Sequence, residues 1–259
     1  SDYQEVAPYY AGLPALFEFA FWYRLKYALN NNAGCYLAKD ILNQQQAYAS
    51  FRNDYIEATK LTNHDEYRTA SELGRSTDKC KLAAAVLLTA PGEPYIYYGE
   101  ELGMYGEQTN GDEYVRAPML WGDSYTTAYT DKIDKSAASN TATVDKQLED
   151  KNSLLNTYLT FTRLRNTYPA LAEGTMSKHP VYNDSNEKNY KSVAAWYMTK
   201  DNEKLLVIHN LGSSAVTLPL TENIEKAIAL LGKAQQSKSA TEFTVKLDKY
   251  SSVVYKLAE

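Results

Sequence analysis

The order of apolar and polar residues divides the chain into two regions, and the first region alternates short β-rich runs with longer runs of helical spacing. The short runs predict strands at residues 16–21, 55–61 and 94–99. The longer runs predict helices at residues 22–29, 37–54, 79–88 and 146–168. The third of these helices is expected to be capped by Thr77 or Asp78. Strands that alternate with helices are typical of parallel α/β structure, so the first region is predicted to contribute three strand units to a parallel sheet.

From Gly174 onward the pattern changes to short β-rich runs separated by Asn, Asp, Gly and Ser. These runs predict strands at residues 192–198, 205–209, 215–218, 242–245 and 252–255. A succession of short strands predicts an antiparallel β domain. We place the boundary near residue 173, which gives one domain of residues 1–173 and a second of residues 174–259.

Four polar side chains follow the predicted strand at residues 55–61: Asn63, His64, Asp65 and Arg68. At the C-terminal end of a barrel strand such side chains project together into one pocket, which predicts a functional site. Two structural roles remain as alternatives, because Asp65 would also suit a helix N-cap and His64 a buried core position.

Composition narrows the class of ligand. The chain has 259 residues, and its 27 basic and 32 acidic residues give a net charge of −5, which does not favour nucleic acid as a partner. It contains 23 Tyr and 6 Phe, and a phenol combines an apolar ring with a hydroxyl, which suits sugars, although many tyrosines simply pack near the surface. Cys35 and Cys80 have the spacing of neither a disulfide framework nor a metal site, and no apolar run is long enough to span a bilayer.

Three motifs stand in order along the chain. Residues 63–65 are Asn-His-Asp, residues 92–101 follow the pattern Gly-x-Pro-x-x-Tyr-Tyr-Gly-x-Glu, and residues 112–119 begin with Asp and contain Arg-x-Pro-Met. Together they resemble the α-amylase family of glycoside hydrolases (family 13), and the resemblance covers essentially the whole chain. Within that family, the abundance of Tyr and the spacing of residues between positions 147 and 165 are most similar to the SusG-type α-amylases of Bacteroidetes.

The resemblance implies a fold: the C-terminal part of a TIM (β/α)8 barrel, comprising strands six to eight, followed by an antiparallel β-sandwich domain. The 173 residues of the first region are fewer than the roughly 250 of a full barrel. Retaining glycosidases need a nucleophile and an acid/base. We therefore expect the family's nucleophilic Asp and acid/base Glu to lie before residue 1.

The resemblance also implies roles for four residues. Asp65 is the carboxylate that stabilises the transition state by accepting hydrogen bonds from the O2 and O3 hydroxyls of the sugar being cleaved. His64, Asp112 and Arg116 bind substrate, and a local ion pair between Asp112 and Arg116 would be compatible with that role.

Other residues are assigned from their positions. Tyr27 and Tyr36 flank the Asn-rich turn, and Asp40 falls one helical turn after Tyr36, so the three form a candidate secondary sugar site away from the active site. Arg68 is expected to brace the pocket by pairing with a carboxylate. The adjacent glutamates at residues 100–101 are expected to be solvated.

The function implied by the resemblance is endo-acting hydrolysis of α-1,4-glucosidic bonds in starch and malto-oligosaccharides, with retention of the anomeric configuration. A longer chain is expected to carry out this reaction. This segment alone is expected to be inactive. Two alternatives remain open: a non-catalytic glycan-binding or partner subunit of the same fold, and a transglycosylase of the same clan. The implied partners are the glucan and the upstream part of the barrel. The resemblance implies that the complete enzyme binds calcium, with ligands mostly outside this segment. It also implies a cell-surface or extracellular location with an outer-membrane anchor.

Overall fold

Two parallel strands and the helices around them form the first part of the fold. The computed structural model describes residues 2–122, 140–183, 190–238 and 243–258. Strands β1 (Ala15–Glu18) and β2 (Ile56–Thr59) pair in parallel, with Phe17 opposite Ala58. The described α-helices are α1 (Tyr3–Val6), α2 (Phe19–Asn31), α3 (Leu37–Ala49), α4 (Thr69–Glu72), α5 (Thr77–Thr89), α6 (Val144–Glu149), α7 (Leu154–Thr167) and α8 (Pro169–Glu173). Short 3₁₀ helices lie at Ala7–Ala11, Gly34–Tyr36, Glu100–Leu102, Gln108–Asn110 and Asp112–Val115.

The first predicted strand ends earlier than expected. Residues 19–21 belong to α2, because the Glu18 carboxylate accepts the N–H groups of Ala20 and Phe21 and so caps the helix. The run is also less buried than a core strand, since Phe17 is 52% exposed. The apolar run at residues 16–21 therefore predicted a strand correctly, but it did not show that Glu18 ends the strand and caps the following helix.

The predicted strand at residues 94–99 is reduced to a single parallel bridge between Lys60 and Tyr95. Pro94 has no N–H to donate to a neighbouring strand. Gly99 has a φ of +83° and turns the chain into the 3₁₀ helix that follows. The segment thus continues the parallel arrangement of β1 and β2 at one position only.

Two helix boundaries also differ from the prediction. Helix α5 is capped by Ser76, whose side chain accepts the N–H of Lys79, and not by Thr77 or Asp78. The predicted helix at residues 146–168 is two helices, α6 and α7, because Ser153 accepts the N–H of Asn156 and caps a new helix.

Two antiparallel sheets make up the second part. The described strands are β3 (Thr175–Lys178), β4 (Val193–Lys200), β5 (Glu203–Asn210), β6 (Val216–Leu220), β7 (Ile224–Leu231), β8 (Ala234–Lys238), β9 (Phe243–Leu247) and β10 (Ser251–Leu257). One sheet has the order β3-β4-β5-β10-β7 and the other β6-β9-β8. Strands β3, β7 and β8 were not predicted, because many of their residues are exposed and the apolar alternation is weak. Residue 242, predicted as part of β9, lies outside the described residues.

The two sheets pack face to face as a β-sandwich, which confirms the antiparallel β-sandwich predicted for the second domain. One cluster of buried side chains draws on both sheets and includes Val193, Leu206, Leu218, Val245 and Tyr255. The opposite face of the larger sheet packs on the helices of the first part, in a cluster that includes Leu82, Phe161, Trp196 and Val207. The sandwich is therefore fixed to the parallel part by a continuous apolar core.

In the described ranges, no helix combines the length and the apolar character needed to cross a membrane.

Candidate active site

The turn that follows β2 carries Asn63, His64 and Asp65. The Asn63 side-chain oxygen accepts the N–H of Asp65 at 2.8 Å, a local bond that shapes the turn. The side chains of His64 and Asp65 are 63% and 57% exposed, and His64 Nε2 lies 3.2 Å from Asp65 Oδ2. The turn therefore presents an imidazole and a carboxylate side by side at the surface.

Arg116 connects this turn to Asp112. Its Nη2 lies 2.8 Å from Asp65 Oδ1 and 2.7 Å from Asp112 Oδ2. Its Nε donates to the carbonyl oxygen of His64 at 2.9 Å. The structure thus brings together the four residues predicted for the active site, while their roles in sugar binding stay predictions.

Two tyrosines hold the chain on either side of Arg116. The Tyr97 hydroxyl donates to the carbonyl oxygen of Val115 at 3.0 Å, and the Tyr98 hydroxyl donates to that of Ala117 at 2.8 Å. Burial raises the pKa of Tyr97 to about 12, so its hydroxyl remains a donor at neutral pH. These bonds position the backbone from which the Arg116 side chain reaches Asp65.

Among the described residues Arg68 pairs with no carboxylate, contrary to the expectation. Its side chain is fully buried, with the guanidinium carbon 4.8 and 4.9 Å from the ring centroids of Tyr97 and Tyr98. Nη1 donates to the carbonyl oxygen of Tyr98 at 2.8 Å, while Nε and Nη2 have no hydrogen-bond partner among the described residues. Burial lowers the pKa of Arg68. Arg68 therefore braces the site by packing against the two tyrosines that hold the Arg116 segment.

Glu100 is buried, contrary to the expectation that the glutamates at residues 100–101 are solvated. The Tyr158 hydroxyl donates to its Oε1 at 3.0 Å, and Thr69 Oγ1 lies 3.4 Å from its Oε2. Thr69 Oγ1 in turn lies 3.1 Å from Thr62 Oγ1, at the start of the site turn. Burial raises the pKa of Glu100 to about 8. A buried carboxyl group thus lies behind the site turn, linked to it by two threonines.

Sequence reasoning missed a second cluster beside Asp65. Glu66 Oε2 lies 2.5 Å from the ammonium group of Lys60, and Glu66 Oε1 accepts the Tyr23 hydroxyl at 3.0 Å. The Lys60 side chain is only 3% exposed. A lysine inside the apolar run at residues 55–61 was the available signal, because a buried ammonium group needs a partner.

The residues of the candidate secondary sugar site line one cavity. Tyr27, Tyr36 and Asp40 border a cavity of about 490 Å³, which Tyr23 and Arg24 also line. The rings of Tyr27 and Tyr36 are 62% and 44% exposed, and Arg24 Nη1 lies 3.3 Å from Asp40 Oδ2. The geometry therefore places two exposed rings and a carboxylate together, as a sugar-binding platform requires.

Among the residues that the structure describes, no group of three or more His, Cys, Asp or Glu side chains is arranged to hold a metal ion. The resemblance implies calcium ligands mostly outside this segment, and that assignment stays a prediction.

The arrangement at Asp65 suits hydroxylated ligands. Asp65 and Asp112 offer carboxylate oxygens as acceptors, while Arg116 and His64 offer N–H donors in fixed positions. A sugar ring carries neighbouring hydroxyls that both donate and accept. The four side chains can therefore bind and orient a sugar.

Comparison with known proteins gives two family matches. The family described as the catalytic domain of alpha amylase matches residues 14–174, and the family described as the C-terminal domain of the alpha-amylase SusG matches residues 193–254. The two matches fall on the two structural parts of the chain.

Similar proteins agree with these matches. The alpha-amylase SusG of Bacteroides thetaiotaomicron is 67% identical over 257 residues, which are 99% of this chain and 37% of that protein. Alpha-amylase 3 of Dictyoglomus thermophilum is 30% identical over 98% of this chain and 49% of that protein. The crystal structure of an alpha-amylase from H. orenii superposes on all of this chain and 52% of its own with a TM-score of 0.87, at 24% identity, and shows the same fold. The chain thus spans between about a third and a half of the length of the relatives it matches.

Proposed function

This chain belongs to the α-amylase family, and we propose that it forms one wall of an active site that hydrolyses α-1,4-glucosidic bonds in starch and malto-oligosaccharides with retention. In this proposal the nucleophile and the acid/base are supplied by an upstream part of the same barrel. The bond is cleaved within the glucan chain. The partners are therefore the glucan and the remainder of the barrel.

The observation that carries the proposal is the contact of Arg116 with both Asp65 and Asp112 beside the end of β2. Ion pairs this exposed contribute little to stability, and their carboxylate oxygens and N–H groups remain within reach of a ligand. The family match over residues 14–174 supports a glucan as that ligand.

Asp65 acts in the transition state. As the sugar ring flattens and its charge rises, hydrogen bonds from the O2 and O3 hydroxyls to the Asp65 carboxylate strengthen, which lowers the barrier more than it tightens ground-state binding. His64 lies on the other Asp65 oxygen and binds the same hydroxyls. Asp112 and Arg116 bind the neighbouring sugar on the non-reducing side.

Product analysis on the complete enzyme tests this function. Maltoheptaose should be converted to shorter malto-oligosaccharides whose new reducing ends appear first as the α-anomer by NMR. A first-formed β-anomer would contradict retention. Products longer than the substrate at low substrate concentration would instead favour the transglycosylase, and binding without cleavage would favour the non-catalytic subunit.

We propose that the cavity lined by Tyr27, Tyr36 and Asp40 is a secondary sugar site. The two exposed rings would stack on the faces of glucose units, and Asp40, held by Arg24, would accept hydroxyl hydrogen bonds. Such a site would hold the enzyme on insoluble starch without taking part in cleavage.

Adsorption measurements test the secondary site. The double variant Tyr27→Ala/Tyr36→Ala in the complete enzyme should adsorb about tenfold less to insoluble starch, because two stacking contacts are lost, while maltoheptaose cleavage stays at the wild-type rate. Phe51→Ala is the matched control, since Phe51 is also an exposed ring but lies outside this cavity. Adsorption equal to that of the control would contradict the proposal.

We propose that the calcium of the complete enzyme is held mostly by residues outside this segment, as the family resemblance implies. The SusG-type resemblance supports a cell-surface or extracellular location, for which we propose an outer-membrane anchor. Protease treatment of intact cells tests the location, because only a surface protein would be cleaved.

A further inference from the structure

The ion pair between Lys60 and Glu66 lies directly beside Asp65 and has no part in the proposed sugar contacts. Lys60 follows β2, where it bridges to Tyr95, and Glu66 is the residue after Asp65. Lys60 Nζ lies 2.5 Å from Glu66 Oε2. The pair therefore links the end of the strand to the turn that carries the proposed transition-state carboxylate.

The burial of Lys60 makes this link strong. Its side chain is 3% exposed, and its ammonium group lies 3.8 Å from the ring centroid of Phe19. A buried ammonium group is costly unless an opposite charge compensates it, so Lys60 requires the Glu66 carboxylate where it lies. The aromatic face of Phe19 adds a favourable contact from α2.

Tyr23 fixes the second oxygen of Glu66. Its hydroxyl donates to Glu66 Oε1 at 3.0 Å from helix α2. Burial and the nearby Glu66 charge raise the pKa of Tyr23, so the hydroxyl remains a donor at neutral pH. The Glu66 carboxylate is thus held from two elements, the end of β2 and helix α2.

Asp65 has few other anchors. Its backbone N–H bonds to Asn63 within the same turn, and its side chain contacts Arg116 and His64, which a sugar would also contact. Glu66 therefore attaches this turn to the rigid part of the fold directly beside Asp65 and without using a ligand-binding residue, while Thr62 and Thr69 attach the start of the turn to Glu100.

We propose that Lys60 and Glu66 are a positioning pair that holds Asp65 at the place where it stabilises the transition state. This inference rests on the proposed hydrolysis. A catalytic group displaced by about 1 Å can lose on the order of 100-fold in rate, so the loss of the pair should lower kcat more than it changes KM.

Steady-state kinetics of Glu66→Gln in the complete enzyme, with an aryl maltotrioside as substrate, test the inference. Gln keeps the size and one acceptor of Glu but leaves Lys60 uncompensated. We expect kcat to fall about 10- to 100-fold with KM within about threefold of wild type. Tyr23→Phe removes a single hydrogen bond and should lower kcat about two- to tenfold.

A matched control separates positioning from general stability. Lys26 Nζ lies 3.0 Å from Glu72 Oε2, so Glu72→Gln breaks another Lys–Glu ion pair that starts from the same helix α2. It should leave kcat at the wild-type value. If Glu72→Gln loses as much kcat as Glu66→Gln, the inference is wrong.

A second comparison asks whether Glu66 acts through Asp65. In an Asp65→Asn background, adding Glu66→Gln should reduce the residual rate less than twofold, because the group it positions is already gone. An equal fractional loss in both backgrounds, or a wild-type kcat for Glu66→Gln alone, would overturn the inference. Absence of hydrolysis by the wild-type enzyme would instead contradict the proposed function.

Discussion

Arg116 determines the arrangement of the site at the residue scale. One nitrogen, Nη2, contacts both Asp65 and Asp112, and Nε holds the carbonyl of His64. A planar guanidinium can make these contacts from one position, whereas the single ammonium group of Lys cannot reproduce them. The two carboxylates are therefore kept close together although they repel each other.

Glu100 is a buried acid linked to this site turn through Thr69 and Thr62, and its pKa makes stability depend on pH. Burial raises that pKa from 4.5 to about 8. Between these values the folded chain holds a proton that the unfolded chain has released, so folding stability is present at low pH and falls as the pH rises through this window. Glu57, whose pKa burial also raises to about 8, acts in the same direction.

The variant Glu100→Gln tests this pH dependence. Raising the pH from 5 to 8 should destabilise the wild-type protein by on the order of a few kcal/mol per buried acid. Gln cannot ionise, so the variant should lose less stability over the same interval. Urea unfolding of the complete enzyme at both pH values measures the difference, and equal losses in the two proteins would contradict the assignment.

At the scale of elements, Arg165 joins helix α7 to the end of α5. Its Nη1 donates to the carbonyl oxygens of Leu88 and Ala90 at 3.3 and 2.8 Å, and its Nη2 to that of Gly92 at 2.5 Å. Carbonyls at the C-terminal end of a helix have no partner within the helix. Arg165 satisfies them in a buried place and so fixes the segment that leads to the bridge at Tyr95.

Replacing Arg165 by Met should therefore lower the free energy of unfolding by about 2–4 kcal/mol, because several buried carbonyls lose their donor. Arg163→Met is the control, since Arg163 lies on the same helix but is exposed. Chemical denaturation of both variants is the measurement. A loss for Arg165→Met no larger than that for Arg163→Met would show that these bonds contribute little.

The sequence predicted correctly those helices and strands in which the apolar residues of the pattern are the buried residues of the structure. The run at residues 79–88 became α5, and strands β4, β5 and β10 follow their predicted runs closely, because each buries a regular set of apolar residues. The break before Ser153 and the helix start after Glu18 were missed because side-chain caps decided them. Local hydrogen bonds thus overrode the apolar pattern.

The candidate site was predictable in part for a similar reason. Residues 63–65 and the pair Asp112 and Arg116 have recognisable motifs, so their positions followed from the family resemblance. Lys60 and Glu66 have no such motif, and their contact depends on the path of the turn in three dimensions. Burial of Glu100 was missed because two adjacent acids in a loop are usually solvated, whereas Tyr158 covers this one.

At the scale of the whole molecule, the sandwich and the parallel part are joined through Thr89. Thr89 Oγ1 lies 3.1 Å from His209 Nε2, and the Trp196 indole N–H donates to the Thr89 carbonyl at 3.4 Å. Burial lowers the pKa of His209 to about 3, so it stays neutral within this apolar contact. The described parts therefore form one continuous core across the predicted boundary.

The parallel part of the fold carries an exposed aromatic pair. Phe17 and Tyr95 are 52% and 50% exposed, and their rings meet edge to face at 5.0 Å. Exposed aromatic clusters on strands usually mark a surface that another part of a protein covers. This agrees with the proposal that an upstream part of the barrel completes both the sheet and the active site.

The kinetics of Asp65→Asn in the complete enzyme test the central claim most directly. Asn keeps the shape of Asp but loses the charge that strengthens the sugar hydrogen bonds in the transition state. We expect kcat for maltoheptaose to fall at least about 100-fold, with KM changed by less than about threefold and unfolding unaltered. A kcat near the wild-type value, whether KM is unchanged or raised, would contradict the assignment of Asp65 as the transition-state stabiliser.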